Sequence, residues 1–179
     1  MKKRLRAGFT FAETLITVAL LSIVFLAISG GFVVFTRAYK SITRKANAQV
    51  MLSTAIMQVT DDFKNATVYY SSTNAFETSS RGYLVKYVQN SSKGMIVQPF
   101  NQSTGEADST LKEIPLLTSK TNTDNMYTDF TWGDSPCTIA ADGTALFDIK
   151  IYIRASDDSD KAIEYQEIKV RSNSVVTKY

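Results

Sequence analysis

The amino-acid sequence predicts an α+β fold in which one long N-terminal helix packs on an antiparallel sheet of at least four strands. One reason is that no proline occurs before Pro99, so the helix is not stopped early by a residue without a backbone N–H. A second is that apolar residues follow helical spacing up to about Asn65 and strand-like alternation after it. At 179 residues, the chain has room for one domain with a modest core besides its N-terminal segment.

The predicted helix begins near Thr10 and ends near Asn65, and at 1.5 Å per residue it would be about 80 Å long. Its half from 37 to 65 carries an apolar stripe at helical spacing, formed by Leu52, Ile56, Val59 and Phe63. Several polar residues lie largely off that stripe: Lys45, Asn47, Gln49, Gln58 and Asp62. We therefore expect an amphipathic half-helix whose apolar stripe packs under the sheet of the globular part.

Two pairs of strands are predicted after the helix. The first pair is "GYLVKYVQ" and "MIVQPF", joined by the turn-like "NSSKG"; the second is "ALFDIKIYIRA" and "AIEYQEIKV", joined by "SDDSDK". Between the pairs, residues 101–142 are rich in Ser, Thr, Asn, Asp and Gly, which predicts irregular structure with short strands only near 111–117 and 129–132. The sequence thus predicts a β-rich globular head over 66–179.

The residue types that usually carry catalysis are scarce in this sequence. It contains no His, so its one thiol, on Cys137, has no imidazole that could activate it. The acidic cluster Asp157, Asp158 and Asp160 lacks the spacing, the Gly and the closing Glu of an EF-hand calcium loop, which favours a solvated turn. We expect no catalytic residue, no cofactor and no metal ion, and hence no enzyme.

The net charge of +3 belongs to the N-terminal end of the chain. Four of the 20 basic residues lie in the first six positions, namely Lys2, Lys3, Arg4 and Arg6. The remaining basic residues are outnumbered by 17 acidic ones, so nucleic acid is not indicated as a partner of the folded part.

A segment without charged side chains runs from Thr14 to Thr36, longer than the roughly 20 residues that a helix needs to cross a bilayer. An ordinary secretory signal has a shorter apolar region and a small-residue cleavage site, which Ala27-Ile28-Ser29 could supply. Four basic residues precede the segment, and four others follow it, namely Arg37, Lys40, Arg44 and Lys45. Charge bias alone therefore does not orient the segment. We favour the N-terminus inside, because the leading charges are tightly clustered and a large polar domain follows the segment.

Glu13 is an acid at the edge of this apolar segment and needs a partner there. One interpretation is a capping box, because "TFAE" from Thr10 places a hydroxyl and a carboxylate where each can bind a free backbone N–H. The other is a charge pair, since a peptidase that cleaved after Gly8 would give Phe9 a free α-amine for Glu13 to neutralise in the membrane. The spacing of four residues also permits this pair within one helix.

The stretch "GFTFAE", with four basic residues before it and about 20 apolar ones after it, resembles the type IV prepilin signal of pilins and of the pseudopilins of type II secretion and competence systems. This resemblance covers only the N-terminal segment and implies that Gly8 precedes the cleavage point. It further implies that Phe9 becomes the N-methylated first residue and that Glu13 neutralises the N-terminus of a neighbouring subunit during assembly. The pilin architecture of one long helix and a β-rich head is implied as well.

The sequence departs from the family near Ser29, where many members carry a helix-breaking proline. Gly30 and Gly31 follow that position instead, and each weakens a helix by about 1 kcal/mol relative to Ala. Two interpretations stay open. The pair gives the helix flexibility during assembly, or the small residues let a neighbouring helix approach closely.

The resemblance thus implies a structural subunit that is processed by prepilin peptidase, held in the membrane and then assembled into a helical filament. Its segments would be a removed basic leader (1–8), a membrane-spanning and filament-core half-helix (9–36), an amphipathic half-helix (37–65) and the head (66–179). The implied partners are other pilin or pseudopilin subunits, the prepilin peptidase and methylase, the membrane assembly platform and, before assembly, the lipid bilayer.

A minor pilin or pseudopilin is favoured over a major pilus subunit, because the head has a long irregular region and no terminal Cys pair. The subunit would first be a single-pass protein of the cytoplasmic membrane with its N-terminus inside, and would then join an extracellular or cell-envelope filament. The alternative of another class is a singly membrane-anchored or secreted surface-binding protein with an ordinary signal segment.

Overall fold

The structure of the chain is a computed structural model. It describes residues 10–90, 94–101, 103–104, 106–117, 125–155 and 158–179, with only the backbone described at 158–160. The chain divides into two compact units, one that ends at Thr43 and one that runs from Arg44 to Tyr179.

One helix, α1 (Phe11–Lys64), contains 54 residues, and the predicted long N-terminal helix is therefore confirmed. It ends where the side-chain amide of Asn65 donates to the backbone carbonyl of Asp61 at 2.9 Å, which satisfies one of the last free carbonyls. In the first unit, the apolar side chains of α1 from Phe11 to Phe35 are exposed on all sides. Packing inside the protein therefore does not explain the apolar character of this part of the helix.

The second unit contains two sheets. The first has β1 (Ala66–Tyr70), β2 (Ala75–Thr78), β3 (Leu84–Asn90), β4 (Gly94–Asn101), β5 (Glu106–Ala107), β6 (Ile114–Pro115) and β10 (Thr177–Lys178). Strands β1 to β4 are antiparallel neighbours, β5 and β6 both pair with β4, and β10 lies parallel to β1. The prediction of at least four antiparallel strands is confirmed by β1 to β4.

The second sheet has β7 (Met126–Ile139), β8 (Thr144–Ala155) and β9 (Asp158–Val175), in the antiparallel order β7-β8-β9. Both predicted strand pairs are present, as β3 with β4 and as β8 with β9. They belong to different sheets, whereas the sequence predicted a single sheet. Periodicity gives the direction in which a strand faces but does not give its partners, which are set by the packing of the whole chain.

The prediction that residues 101–142 are irregular is wrong for their second half, where β7 contains 14 residues. Its alternation is interrupted by a bulge, since Trp132 pairs with Ile149 and Cys137 pairs with Phe147, so that four residues oppose one. The strand predicted at 111–117 is reduced to the two residues of β6. The turn predicted over "SDDSDK" is shorter than expected, because β9 already begins at Asp158 and shifts its register against β8 there.

The apolar stripe of α1 forms one side of the core of the second unit, as predicted. Its buried residues are Ala48, Met51, Leu52, Ala55, Val59 and Phe63. The Phe63 ring stacks on Phe147 of β8, with 4.4 Å between ring centroids, and meets Phe76 of β2 edge-on at 5.2 Å. This one helical side chain therefore contacts both sheets, and burial of such a ring contributes about 1.5–3 kcal/mol to the free energy of folding.

Candidate functional site

The start of α1 is held by a capping box between Thr10 and Glu13. The backbone N–H and the hydroxyl of Thr10 both donate to Oε2 of Glu13, at 2.8 and 3.0 Å. The backbone N–H of Glu13 donates in return to the Thr10 hydroxyl oxygen at 3.4 Å. The capping interpretation of Glu13 is therefore confirmed, and the carboxylate also lies at the positive end of the helix dipole.

The other two residues of the predicted processing site, Gly8 and Phe9, lie outside the described residues. The predicted cleavage, the N-methylation of Phe9 and its charge pair with Glu13 therefore stay predictions. The Thr10–Glu13 cap accounts for the position of an acid at the start of a helix. It neither requires nor prevents a second charge, so the charge pair of Glu13 with the Phe9 amine stays a prediction beside the confirmed cap.

The apolar segment that follows Glu13 is long and apolar enough to cross a membrane as a single helix. Four of its hydroxyl groups bond back to the helix itself: Thr14 to the carbonyl of Phe11, Thr17 to that of Glu13, Ser22 to that of Val18 and Thr36 to that of Phe32. Each of these four hydroxyls thus has an acceptor within the helix and needs none from water. This arrangement suits a hydrocarbon environment, where an unsatisfied polar group is costly.

Gly30 and Gly31 lie inside α1, and the helix continues through them without a break. A Cβ added at either position would meet no protein atom within 4 Å. Neither glycine is therefore required by packing within the described part of the chain. Their two predicted roles are flexibility during assembly and close approach of another helix. Both would be expressed when α1 meets other subunits.

A buried ion pair, which the sequence did not reveal, lies near the end of α1. Asp62 was expected off the buried stripe, but only 3% of its surface is exposed, so this prediction is wrong. The guanidinium of Arg81 donates to its two carboxylate oxygens at 3.0 and 2.9 Å, and the hydroxyl of Tyr87 donates to Oδ2 at 2.9 Å. Asp62 follows Val59 by three residues and therefore shares the buried face of the helix.

Arg81 reaches Asp62 from the turn between β2 and β3. In this turn, the N–H groups of Arg81 and Gly82 both donate to the carbonyl of Thr78, and Gly82 has a φ of 73°, which glycine adopts without strain. The positive charge compensates an acid placed close to the negative end of the helix dipole. The pair thus connects the end of α1 to the first sheet.

The protonation of this cluster does not suit acid–base catalysis. Burial disfavours the charge of Arg81, but the hydrogen bonds and attraction from Asp62 outweigh it, and the pKa of Arg81 is raised. Burial, and after it the charge of Asp62, raises the pKa of Tyr87 well above its usual value. Both groups therefore keep their protons at neutral pH, and we interpret the cluster as structural.

Cys137 is a free, buried thiol, as expected for a small core residue. Burial raises its pKa to about 11, although the positive charge of Lys178 acts in the opposite direction. No group of three or more His, Cys, Asp or Glu side chains that could hold a metal ion occurs in the part of the chain that the structure describes. The acidic cluster at 157–160 lies outside the residues with described side chains.

Comparisons of the chain with protein-family models, with curated proteins and with solved structures found no significant match.

Proposed function

We propose that the chain is a type IV pilin-like structural subunit, made as a precursor, cleaved after Gly8 and assembled into a helical filament. The observation that supports it most is the position of Glu13, the one acid in the part of α1 from Phe11 to Phe35, which is apolar on all sides and begins two residues after the sequence "GF". An apolar helix of this kind is stable in lipid or in the core of a helical bundle.

The cap and the proposed charge pair can coexist in one chain. The α-nitrogen of residue 9 is three covalent bonds from the nitrogen of Thr10, so the two nitrogens are at most about 4 Å apart. Since Oε2 of Glu13 lies 2.8 Å from the Thr10 nitrogen, an amine created at Phe9 would be at most about 7 Å from this oxygen, close enough for the opposite charges to attract each other. In the filament, the same carboxylate would neutralise the amine of a neighbouring subunit.

The proposed mechanism of assembly follows from this charge pair. Before assembly the apolar segment spans the cytoplasmic membrane with the N-terminus inside. During assembly, head-to-tail contacts that do not close into a ring propagate the subunits helically. The pair between Glu13 and the Phe9 amine sets the register between subunits, because an unpaired charge in the apolar core costs several kcal/mol.

A minor pilin or pseudopilin is the subunit type that we favour. The irregular part of the head is shorter than the sequence predicted, because β7 occupies residues 126–139. The feature that still favours a minor subunit is the single Cys137, since one cysteine cannot form a terminal disulfide. A major pilus subunit, the alternative, would be abundant in filaments sheared from the cell surface.

A second candidate function is that of a singly membrane-anchored or secreted surface-binding protein. The observation that favours it is the capping box, which explains Glu13 as a helix start without a filament. In that case the first residue of the mature protein would be Met1 for a permanent anchor or Gly30 for a cleaved signal.

Substitution of Gly8 tests the proposed processing. In cells that contain prepilin peptidase, we expect the wild-type chain to lose its first eight residues and the Gly8→Val chain to retain them. The reason is that a β-branched side chain next to the cleaved bond prevents the close backbone approach that glycine allows. Gel mobility of the membrane fraction separates the two forms.

The matched control is Gly31→Ala, which changes a glycine inside α1 and should be processed like the wild type. Equal processing of the Gly8→Val chain and the wild type would contradict the proposed cleavage site.

A further inference from the structure

The apolar segment ends in a way that suits the headgroup region of a bilayer. The uncharged residues Thr14 to Thr36 would rise by roughly 35 Å as a helix, compared with about 30 Å for the hydrocarbon core. Arg37 and Lys40, which come next in the same unit, are both exposed. In a spanning helix, both charges would therefore lie at the level of the headgroups.

An aromatic pair lies at the same level of the helix. The rings of Phe35 and Tyr39 stack with 6.3 Å between centroids, and 67% and 62% of their surfaces are exposed. At 100° per residue, this pair occupies the side of α1 opposite to Arg37 and Lys40. Tyrosine is enriched where a membrane-spanning helix leaves the hydrocarbon, so the exposed Tyr39 independently places the boundary here.

The charge of this stretch has a single sign. From Arg37 to Thr60 the sequence contains four basic residues and no acidic one. The ammonium of Lys45 lies 3.4 Å from the carboxylate of Glu164 in the second unit. Arg37 and Lys40 belong to the first unit, which has no acidic residue between Glu13 and its end at Thr43. A negative partner for these two residues must therefore come from outside that segment.

We infer that Arg37 and Lys40 bind the anionic headgroups of phospholipids in the leaflet at the C-terminal end of the apolar segment. Headgroup phosphates supply the negative charge, the aromatic pair fixes the depth, and basic residues beside a membrane helix favour anionic lipid. The inference rests on the membrane insertion that belongs to the proposed function, but not on cleavage or filament assembly. According to this inference, anionic lipid helps to retain the unassembled subunit in the membrane.

The experiment uses the full-length chain in phosphatidylcholine vesicles, with spin-labelled phosphatidylglycerol or phosphatidylcholine as the probe. Electron paramagnetic resonance measures how strongly each labelled lipid associates with the protein. We expect the wild type to prefer phosphatidylglycerol over phosphatidylcholine. In the Arg37→Gln/Lys40→Gln chain, this preference should be about three-fold weaker. The preference should also decrease in high salt, because screening weakens contacts between exposed charges.

The control chain, Lys112→Gln/Lys161→Gln, loses the same charge from two exposed residues of the second unit and should keep the preference of the wild type. The basic leader is present in all three chains, so its contribution cancels from the comparison. An unchanged preference in the Arg37→Gln/Lys40→Gln chain would overturn the inference, as would an equal loss in the control chain. Removal of the wild type from the vesicles by alkaline washing would overturn it too.

These results are separable from those that test the proposed function. Lipid preference is measured without peptidase and without filaments. A chain that prefers phosphatidylglycerol through Arg37 and Lys40 but is never cleaved after Gly8 would support this inference and contradict the pilin-like function.

Discussion

Replacement of Glu13 by glutamine should give a chain that is processed and inserted in the membrane but enters filaments at least about ten-fold less often than the wild type. Glutamine fits the same position of a capping box, so the bonds to Thr10 can be kept while the negative charge is lost. The amine of Phe9 would then be unpaired in an apolar bundle, at a cost of several kcal/mol. Immunoblots that compare sheared filaments with the membrane fraction measure the effect.

The matched control is Thr10→Ala, which removes the cap and keeps the charge of Glu13. Loss of an N-cap costs about 0.5–2 kcal/mol and affects only the first turn of the helix. Because the charge of Glu13 is kept, we expect assembly within about three-fold of the wild type. Normal assembly of the Glu13→Gln chain together with failure of the Thr10→Ala chain would show that Glu13 serves the helix start only.

Replacement of Asp62 by alanine is the substitution with the largest expected effect on stability. It removes one partner of a buried pair and leaves the guanidinium of Arg81 and the hydroxyl of Tyr87 without their acceptor. The side chain of Arg81 is 21% exposed and can turn partly towards water. We therefore expect a loss of about 2–3 kcal/mol, less than the about 3–5 kcal/mol for a fully buried pair, and a melting temperature lower by about 6–12 °C.

Thermal unfolding of the full chain in detergent, followed by circular dichroism in the near ultraviolet, measures this change. Asp61→Ala is the matched control, because Asp61 is the adjacent acid in the same helix but is exposed. Its expected effect is within about 0.5 kcal/mol. Equal melting temperatures for the two variants would contradict the stabilising role of the Asp62–Arg81 pair.

The parts of the fold that were predicted correctly have a strong local pattern. The stripe of Leu52, Val59 and Phe63 repeats at helical spacing, and the alternation in β8 places every second residue from Ala145 to Ala155 in the core. Such patterns report which face of an element is buried. They require no knowledge of what the face is packed against.

The parts that were missed depend on contacts between distant residues. Strand β7 has a polar composition and a bulge, and it is held by its long register with β8. The short strand β10 pairs with β1, more than 100 residues earlier in the chain. Composition predicts neither pairing, because strand propensity depends on the neighbours that a strand acquires.

The same difference, between local patterns and contacts of distant residues, separates the cap at Glu13 from the ion pair at Asp62. The cap at Thr10 and Glu13 was readable, because a spacing of three residues within one turn fixes its geometry. The ion pair of Asp62 was not, because its partner Arg81 is 19 residues further on, in a turn between two strands. Helical spacing from Val59 could have placed Asp62 on the buried face, but it could not have named the cation.

Mass spectrometry of the N-terminus of the mature protein, isolated from cells that contain the assembly system, tests the central claim most directly. We predict a chain that begins at Phe9 and carries a methyl group on its α-amine, ready to pair with Glu13. A chain that begins at Met1 or at Gly30 would contradict the proposed charge pair and, with it, the pilin-like function.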